Sequence, residues 1–392
     1  MKTKILLLTL IAIVLVASLA YAEDGELFRR NVSKTPELET EKSAVYMMDF
    51  YVPAQDSTGL VGPVANYFID DGIVQDPADP GAVSEMSRDY AKPLVSVYID
   101  GLPREAFYEE TRGGVTFGKF DAYVAVSLDD GTSWRTENMS RSAALSSFNL
   151  SNGTAYPGDV HHVVHQVAED KILMVWASKY CQSGFPLYAL STNMDDTENE
   201  EYLTDLEANW GKNALYLYDF FGVAGDQGSV DYTLQGFPEV GEIPYSCIWT
   251  ARGKLLPGDD PMTDALEASH VVWTAPERLT SGVRDANLPA VDCAKNAGCA
   301  LTWQEDPEGL RPGKGLGPGE GWSGAIANAK TDIWYSYITF ADFDYVIDED
   351  TGEVMLIEEY ELLKTTDMDR PKPYVPMAVP VRLTDNDMCR AT

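Results

Sequence analysis

The sequence lacks the short motifs that identify several common enzyme classes. It contains neither the G-x-S-x-G motif of serine hydrolases nor the G-x-x-x-x-G-K-[ST] phosphate-binding loop. The haem-attachment motif C-x-x-C-H is also missing, and the five cysteines do not have the spacing of a zinc site. The sequence therefore excludes a nucleophile-elbow hydrolase, a P-loop nucleotide-binding protein and a c-type cytochrome.

Positive charge is scarce in this chain. Lysine and arginine together number 29, against 62 aspartate and glutamate residues, which gives a formal net charge of −33. Such a surface repels polyanions, so neither nucleic acid nor an anionic lipid surface is expected as a partner. Because 45% of the residues are hydrophobic, the chain nevertheless has enough apolar material for a large core.

Only one long apolar run is present, and it lies at the N-terminus. Lys2 and Lys4 precede the run over residues 5–19, and Ala20-Tyr21-Ala22 follows it as a small-residue cleavage site. This pattern predicts a secretory signal peptide over residues 1–22 rather than a membrane span, for which the run is too short. We therefore expect a secreted protein, periplasmic or extracellular, with no membrane-spanning segment.

Cysteines in an exported chain favour disulfide bonds. Cys293 and Cys299 flank a five-residue loop, so we predict that they pair across two strands. Cys181 and Cys247 are predicted to form a second pair, which leaves Cys389 without an obvious partner.

The segment SLDDGTSW, residues 127–134, is the most informative motif. The preceding run YVAVS is typical of a strand, and Asp129 and Gly131 supply a tight turn. The segment resembles an Asp-box, the S/T-x-D-x-G-x-S/T-W hairpin of sialidase-like β-propellers, with the five defining positions at Ser127, Asp129, Gly131, Ser133 and Trp134. The resemblance implies an all-β propeller in which this hairpin has a structural role.

Internal repeats support a propeller. The stretch DVHHVVHQV followed by ILMVWAS parallels DANLPAVDC followed by CALTWQED. The leading Asp and the Trp are separated by 176 − 159 = 17 and 303 − 285 = 18 residues. R-L-T recurs at Arg278 and Arg382, 104 residues apart, so either one blade with large insertions or two divergent blades lie between them.

The predicted organisation is an N-terminal acidic segment over residues 23–90 and propeller blades over residues 91–392. Long loop insertions interrupt the blades, including a Gly/Pro-rich loop over residues 306–324 and a hairpin over residues 343–360. About three blades can be counted, whereas closed propellers have four or more. Either the N-terminal region supplies further strands, or the chain is a fragment that is incomplete at its C-terminus, and the sequence favours the fragment.

Three of the four histidines, His161, His162 and His165, lie on one predicted inner strand. On a strand the first and last are about 13 Å apart, which is too far for them to share a metal ion. We predict that they face the propeller channel, either as ligand-binding residues or as part of its wall. No metal or cofactor is expected. Asp348, Asp350 and Gly352 have only a faint calcium-loop pattern, and a hairpin turn explains them better.

The resemblance to sialidases also raises the question of glycosidase activity. Sialidases use an arginine trio and a Tyr nucleophile, and their first arginine sits in an R-I-P-like motif that this chain lacks. No catalytic residue can therefore be transferred to this sequence. We predict a non-catalytic binding or surface-assembly protein with a glycan or protein partner, which could be a subunit of an extracellular assembly. The alternative is a glycan-active enzyme, a hydrolase or lyase.

Overall fold

A computed structural model of the chain describes residues 32–49, 52–53, 55–56, 59–60, 90–102, 119–129, 131, 133–182, 225–231, 234, 241–258, 269–307, 331–348, 350–363 and 370–384. The predicted signal peptide and Cys389 lie outside these residues. Nearly all regular structure within them is β-strand, which confirms an all-β fold. None of their helices has the length and apolar character needed to cross a membrane.

The strands are short and are numbered here in chain order. They are β1 (Glu39–Met47), β2 (Val52–Pro53), β3 (Gln55–Asp56), β4 (Gly59–Leu60), β5 (Tyr90–Ala91), β6 (Leu94–Leu102), β7 (Lys119–Ser127), β8 (Arg135–Asn138), β9 (Ser146–Asn149), β10 (Ala155–Pro157), β11 (Val160–Ala168), β12 (Lys171–Ser178), β13 (Ser229–Asp231), β14 (Glu242–Pro244), β15 (Cys247–Pro257), β16 (Ser269–Trp273), β17 (Glu277–Arg278), β18 (Asp285–Ala294), β19 (Gly298–Asp306), β20 (Asp332–Thr339), β21 (Tyr345–Ile347), β22 (Val354–Leu356), β23 (Lys372–Pro373) and β24 (Val381–Arg382). The helices are α1 (Phe340–Phe343) and α2 (Ile357–Leu363).

Three antiparallel sheets with up-and-down order form the body of the molecule. The first sheet has the order β1-β6-β7-β8, the second β11-β12-β15-β16 with β17 also paired to β15, and the third β18-β19-β20-β24. Smaller sheets join β2 to β5, β3 to β4, β9 to β10, β13 to β14, and β21 to β22 and β23. One apolar core lies between the first and second sheets, and another lies between the second and third.

The burial pattern follows from this stacking. Strands β12 and β15 in the second sheet are buried along both faces because a neighbouring sheet covers each face. The centre of β12, ILMVWA, is accordingly a continuous apolar run, whereas β15 also buries the charged residues Arg252 and Lys254. Strands β19 and β20 of the third sheet instead alternate between buried and half-exposed residues, as expected for a sheet with one covered face.

The three sheets repeat one another residue by residue. An aromatic pair lies at the same register position between the second and third strands of each sheet, namely Tyr98 with Tyr123, Trp176 with Trp249, and Trp303 with Trp334. The first two pairs are stacked, with ring centroids 5.5 and 6.3 Å apart. These pairs define which positions of the three sheets correspond.

The end of each sheet carries a second repeated feature. Strands β8, β17 and β24 each pair with the third strand of their sheet, and the residue after each of them donates its backbone N–H to that strand. These bonds run from Met139, Leu279 and Leu383 to the carbonyl oxygens of Ala122, Ile248 and Ile333. The next side-chain hydroxyl accepts a bond from the same strand residue, at 3.0, 3.0 and 2.9 Å for Ser140, Thr280 and Thr384. The R-L-T motif therefore recurs a third time as Asn138-Met139-Ser140, and one sheet with insertions separates its second and third copies.

The leading aspartates of the repeated stretches link one sheet to the next. Asp159, ahead of β11, accepts the backbone N–H of Phe120 in the first sheet at 3.2 Å. Asp285, at the start of β18, accepts the N–H of Ser246 beside the second sheet at 2.8 Å. Each carboxylate bonds the residue next to the start of the preceding sheet's third strand, which explains why an Asp recurs there.

The connection between β20 and β24 folds back over the second sheet. Lys254 of β15 binds Asp344 and Glu358 of this insertion at 2.8 and 2.9 Å. Arg370 reaches further and pairs with Glu137 of the first sheet at 3.0 Å. The predicted hairpin is present in β21 and β22, but its last part is wrong, because residues 357–363 form helix α2 rather than a strand.

Part of the segment over residues 23–90 belongs to the first sheet. Strand β1 lies within it and pairs with β6, so the first sheet begins at Glu39. Strand β1 begins with the polar residues ETEKS and ends with the apolar residues AVYM. Both predicted cysteine pairs are disulfide-bonded, with Cα–Cα distances of 5.7 Å for Cys181–Cys247 and 4.0 Å for Cys293–Cys299.

Candidate functional site

The third-strand residue two positions before the paired aromatic residue is held in place in all three sheets, by different chemistry in each. In the first sheet it is Asp121, whose carboxylate accepts bonds from Asn138, Ser140 and the backbone N–H of Ser142 at 2.9, 2.5 and 2.6 Å. All these donors are neutral. The carboxylate therefore ties the third strand to the segment that leaves the fourth.

The corresponding residue of the second sheet is Cys247. Its disulfide to Cys181 joins the end of β12 to the start of β15. Arg278, the counterpart of Asn138, donates to the carbonyl oxygen of Cys181. A covalent bond thus takes the place of the carboxylate of the first sheet.

The third sheet uses ion pairs at this position, in a group we call the third-sheet ion cluster: Arg284, Asp285, Glu305, Asp332 and Arg382. Asp332 accepts Arg284 at 3.3 Å and lies 3.6 Å from Arg382. Arg284 also lies 3.4 Å from Glu305. Both guanidinium groups lie within about 6 Å of the ring centre of Trp334, which adds a cation–π contribution.

Glu305 is the most perturbed acid of this cluster. Its side chain is buried, and desolvation raises the pKa of Glu305 to about 8. The hydrogen bond from Trp303 and the charge of Arg284 lower this pKa, whereas the neighbouring carboxylates of Asp285 and Asp332 raise it. The Glu305 carboxyl is therefore largely protonated at neutral pH.

A separate buried ion pair fixes the insertion of the third sheet. Arg252 of β15 binds Glu277 at 2.8 Å, and both side chains are almost fully buried. Arg252 also donates to the carbonyl oxygen of Val375 at 2.7 Å, and Glu277 accepts the backbone N–H of Met377 at 2.6 Å. Because every charge of the pair is bonded within the core, its role is structural.

The structure separates the three histidines that the sequence placed together. His165 lies between the first and second sheets, is buried, and donates to the carbonyl oxygen of Val95 at 2.9 Å. Burial lowers the pKa of His165 to about 4, against the opposing effect of that hydrogen bond. His165 is therefore a neutral core residue between the first and second sheets.

His161 and His162 lie on the other side of strand β11, at a β-bulge. His162 is opposite Ala177, whose side chain belongs to the core facing the third sheet. The Nε2 atom of His161 lies 3.0 Å from Oδ1 of Asn287 in the third sheet. Oδ1 also accepts the backbone N–H of Leu288 at 2.9 Å, which identifies it as oxygen and places the His161 proton on Nε2.

The first strands of all three sheets are irregular at nearly corresponding register positions, near His161 in the second sheet. Bulges interrupt β1 between Glu41 and Ala44, β11 between Val160 and His162, and β18 between Asn287 and Ala290. Lys42 donates to the carbonyl oxygen of His161 at 2.6 Å, which completes a polar line across the three sheets. We call this line the bulge row: Lys42, His161, His162 and Asn287.

The bulge row is buried at one end and exposed to solvent at the other. Asn287 is buried, His161 and His162 are half-buried, and Lys42 is exposed. Bulges commonly re-aim side chains toward a site. Lys42 and Asn287 could not be anticipated from the sequence, because only the register of β1 and β18 brings them beside His161.

The SLDDGTSW segment connects the third and fourth strands of the first sheet. Oδ1 of Asp129 accepts the backbone N–H of Ser133 and the hydroxyl of Ser127, both at 2.8 Å. Gly131 adopts a φ of 83°, and its carbonyl oxygen accepts Nε1 of Trp134 at 3.1 Å. These bonds are internal to the turn, so its polar groups stabilise the hairpin.

The described residues contain no group of three or more His, Cys, Asp or Glu side chains arranged to hold an ion. The carboxylate of Asp348 accepts the backbone N–H groups of Asp350 and Thr351 at 2.9 and 3.3 Å, which is the bonding of a hairpin turn.

Comparison with known proteins gives only remote structural neighbours. No protein-family model and no curated protein matches the chain. Among solved structures, Trypanosoma rangeli sialidase in complex with the inhibitor DANA is 10% identical with a TM-score of 0.26, covering 67% of this chain and 28% of the sialidase. The same enzyme in complex with sialic acid is 10% identical with a TM-score of 0.26, covering 82% and 35%. This chain thus spans about a third or less of those proteins, and likeness of this degree carries no functional argument.

Proposed function

We propose that this chain is an exported, non-catalytic binding protein built on a sialidase-like propeller architecture, with a glycan or a protein as its ligand. The observation that carries the proposal is the contrast between two sets of polar residues. The carboxylates and guanidinium groups at the sheet ends are bonded into the sheets and mostly buried. The bulge row is also bonded across the sheets, but it brings side chains from three sheets to one level and stays partly exposed at Lys42, His161 and His162.

The internal repeat supports the propeller architecture. Each sheet has four antiparallel strands in sequence order, with β17 as a fifth strand in the second sheet, and each leading aspartate bonds the preceding sheet. A radial stack of such sheets with an Asp-box-like outer turn is the arrangement of a propeller. The two disulfides suit an oxidising compartment, in agreement with the predicted export signal.

The binding hypothesis is tested by screening the purified chain on an array of immobilised glycans and by repeating positive interactions with variants. We expect His162→Ala and Lys42→Ala each to weaken binding about tenfold, which corresponds to about 1.4 kcal/mol. Asn149→Ala is the matched control, because Asn149 is exposed and lies in the β9–β10 sheet, which shares no strand with the bulge row. Equal losses in the control and the bulge-row variants would place the ligand elsewhere.

A second candidate, a glycan-active enzyme, is favoured by one observation. Glu305 is an acid whose pKa is raised into the neutral range beside an arginine, as a general acid requires. Its burial, however, keeps the carboxyl from a substrate in this conformation.

A panel of fluorogenic glycosides distinguishes the two candidates. The binding protein is expected to give no turnover, with or without Glu305. Turnover that falls at least about 100-fold in Glu305→Gln would replace the binding proposal with the enzyme.

A further inference from the structure

The third sheet exposes an apolar residue at a position that the other two sheets bury. Leu383 follows β24 and corresponds to Met139 and Leu279, because all three donate the same backbone hydrogen bond to the third strand. Met139 is 1% exposed in the core against the second sheet, and Leu279 is 0% exposed in the core against the third. Leu383 is 56% exposed. In the first two sheets, the next sheet covers this position.

The same face carries a second residue of this kind. Tyr337 lies three residues after Trp334, as Val126 and Arg252 lie three residues after Tyr123 and Trp249. Val126 and Arg252 are buried, whereas Tyr337 is 41% exposed. We call the side of the third sheet that carries Tyr337 and Leu383 the tail face.

The opposite end of the stack has a matching surface. Val45 and Met47 of β1 are 58% and 54% exposed, and they point away from the second sheet because the intervening Tyr46 contacts His165. By register, their counterparts in β11 are His165 and Val167, which pack against the first sheet. We call the side of the first sheet that carries Val45 and Met47 the head face.

We propose that two copies of this chain associate head to tail, with the head face of one copy seated on the tail face of the other. The contact continues the interface that already joins the first sheet to the second and the second to the third. The contact would cover Val45, Met47, Tyr337 and Leu383. The counterparts of these residues are buried or half-buried between the first and second sheets or between the second and third sheets. Residues 32–38 lie against the end of the head face that is farther from Val45 and Met47, where the hydroxyl of Thr35 donates to Asp100. The Leu383 end of the tail face would therefore meet that segment.

The number of sheets fits a closed ring. The described part of each copy contributes three main sheets, so two copies contribute six, which is within the four to eight blades of propellers. A head-to-tail contact joins two different surfaces, and it closes when the rotation per copy completes a circle. Two copies would then share two identical contacts and leave neither end face exposed.

Sedimentation equilibrium of the full exported chain tests the proposal. The wild type is expected to have twice the mass of one chain. Leu383→Asp on the tail face and Met47→Asp on the head face should each convert it to a monomer. Leu145→Asp is the control, because Leu145 is 46% exposed in the connection between the first and second sheets. It should remain dimeric, and circular dichroism should report folded protein for all three variants.

Mixing the two monomeric variants separates a head-to-tail contact from other modes of association. A mixed pair retains one unaltered contact, between the wild-type tail face of Met47→Asp and the wild-type head face of Leu383→Asp. Dimers should therefore reappear in the mixture. A monomeric wild type, or a dimer that resists both substitutions, would overturn the proposal. If the two copies instead associated through the same face, only the substitution on that face would abolish the dimer. That result would also overturn the proposal.

Discussion

Replacing Glu277 by Ala is expected to lower the free energy of unfolding by about 3 to 5 kcal/mol, the usual cost of leaving one partner of a buried ion pair alone. Arg252 and Glu277 are 1% and 0% exposed, and their charged atoms are 2.8 Å apart. Without Glu277 the guanidinium would retain only the carbonyl oxygens of Val375 and Phe343, at 2.7 and 3.4 Å. Urea unfolding of wild type and variant, followed by tryptophan fluorescence, measures the loss.

Two further variants identify the cause. Glu277→Gln keeps an oxygen for the backbone N–H of Met377 but removes the charge, so most of the loss should persist if the unpaired guanidinium is responsible. Arg135→Gln is the control, because Arg135 and Glu137 are partly exposed and 4.0 Å apart, and an exposed pair is worth no more than about 1 kcal/mol. Similar losses in the buried and exposed variants would contradict this account.

Local patterns in the sequence were sufficient to predict many of the strands. The runs DVHHVVHQV, ILMVWAS and CALTWQED alternate or remain apolar over strand-like lengths, and each forms a strand of a main sheet. Strand β1 was harder to locate, because ETEKS is polar and its side chains are largely exposed. Pairing with β6, rather than any local pattern, makes it a strand.

The correspondence between the sheets could not be read from the sequence. Asn138-Met139-Ser140 shares no residue with R-L-T, yet it makes the same backbone and hydroxyl bonds to the third strand. A backbone donor and a short hydroxyl side chain are sufficient for that role, so the pattern tolerates substitution. Cys247 likewise occupies the position of Asp121 and Asp332 with unrelated chemistry.

Burial accounts for the differences at the candidate site. His161 and His165 are identical in the sequence and only four residues apart, but the bulge at His161 places them on opposite sides of β11. Glu305 lies in the polar run QED, which gives no indication that its carboxyl is buried beside the other members of the third-sheet ion cluster. Such environments depend on which strands become neighbours, and they are set by tertiary packing.

The third-sheet ion cluster should make the protein less stable as the pH rises toward 8. The pKa of Glu305 is about 8 in the folded chain, against 4.5 for an ordinary glutamate. The folded state therefore holds this proton more tightly than the unfolded state does. The stabilisation is fully present below pH 4.5 and is lost as the pH rises from 4.5 to about 8, in total about 5 kcal/mol. Glu305→Gln, which resembles the protonated acid, should remove this dependence.

The interval from pH 6.5 to 8 isolates Glu305 from the other shifted groups. His165 acts in the opposite sense, but its contribution is lost only as the pH falls from 6.5 to about 4. Between pH 6.5 and 8 the wild type should lose about 2 kcal/mol in urea unfolding, close to tenfold in the unfolding equilibrium per pH unit. Glu305→Gln should show almost no loss over the same interval, and at pH 8 it should be the more stable protein. Parallel pH profiles for the two proteins would mean that Glu305 is ionised in the fold. In that case Arg284 would outweigh desolvation in the third-sheet ion cluster.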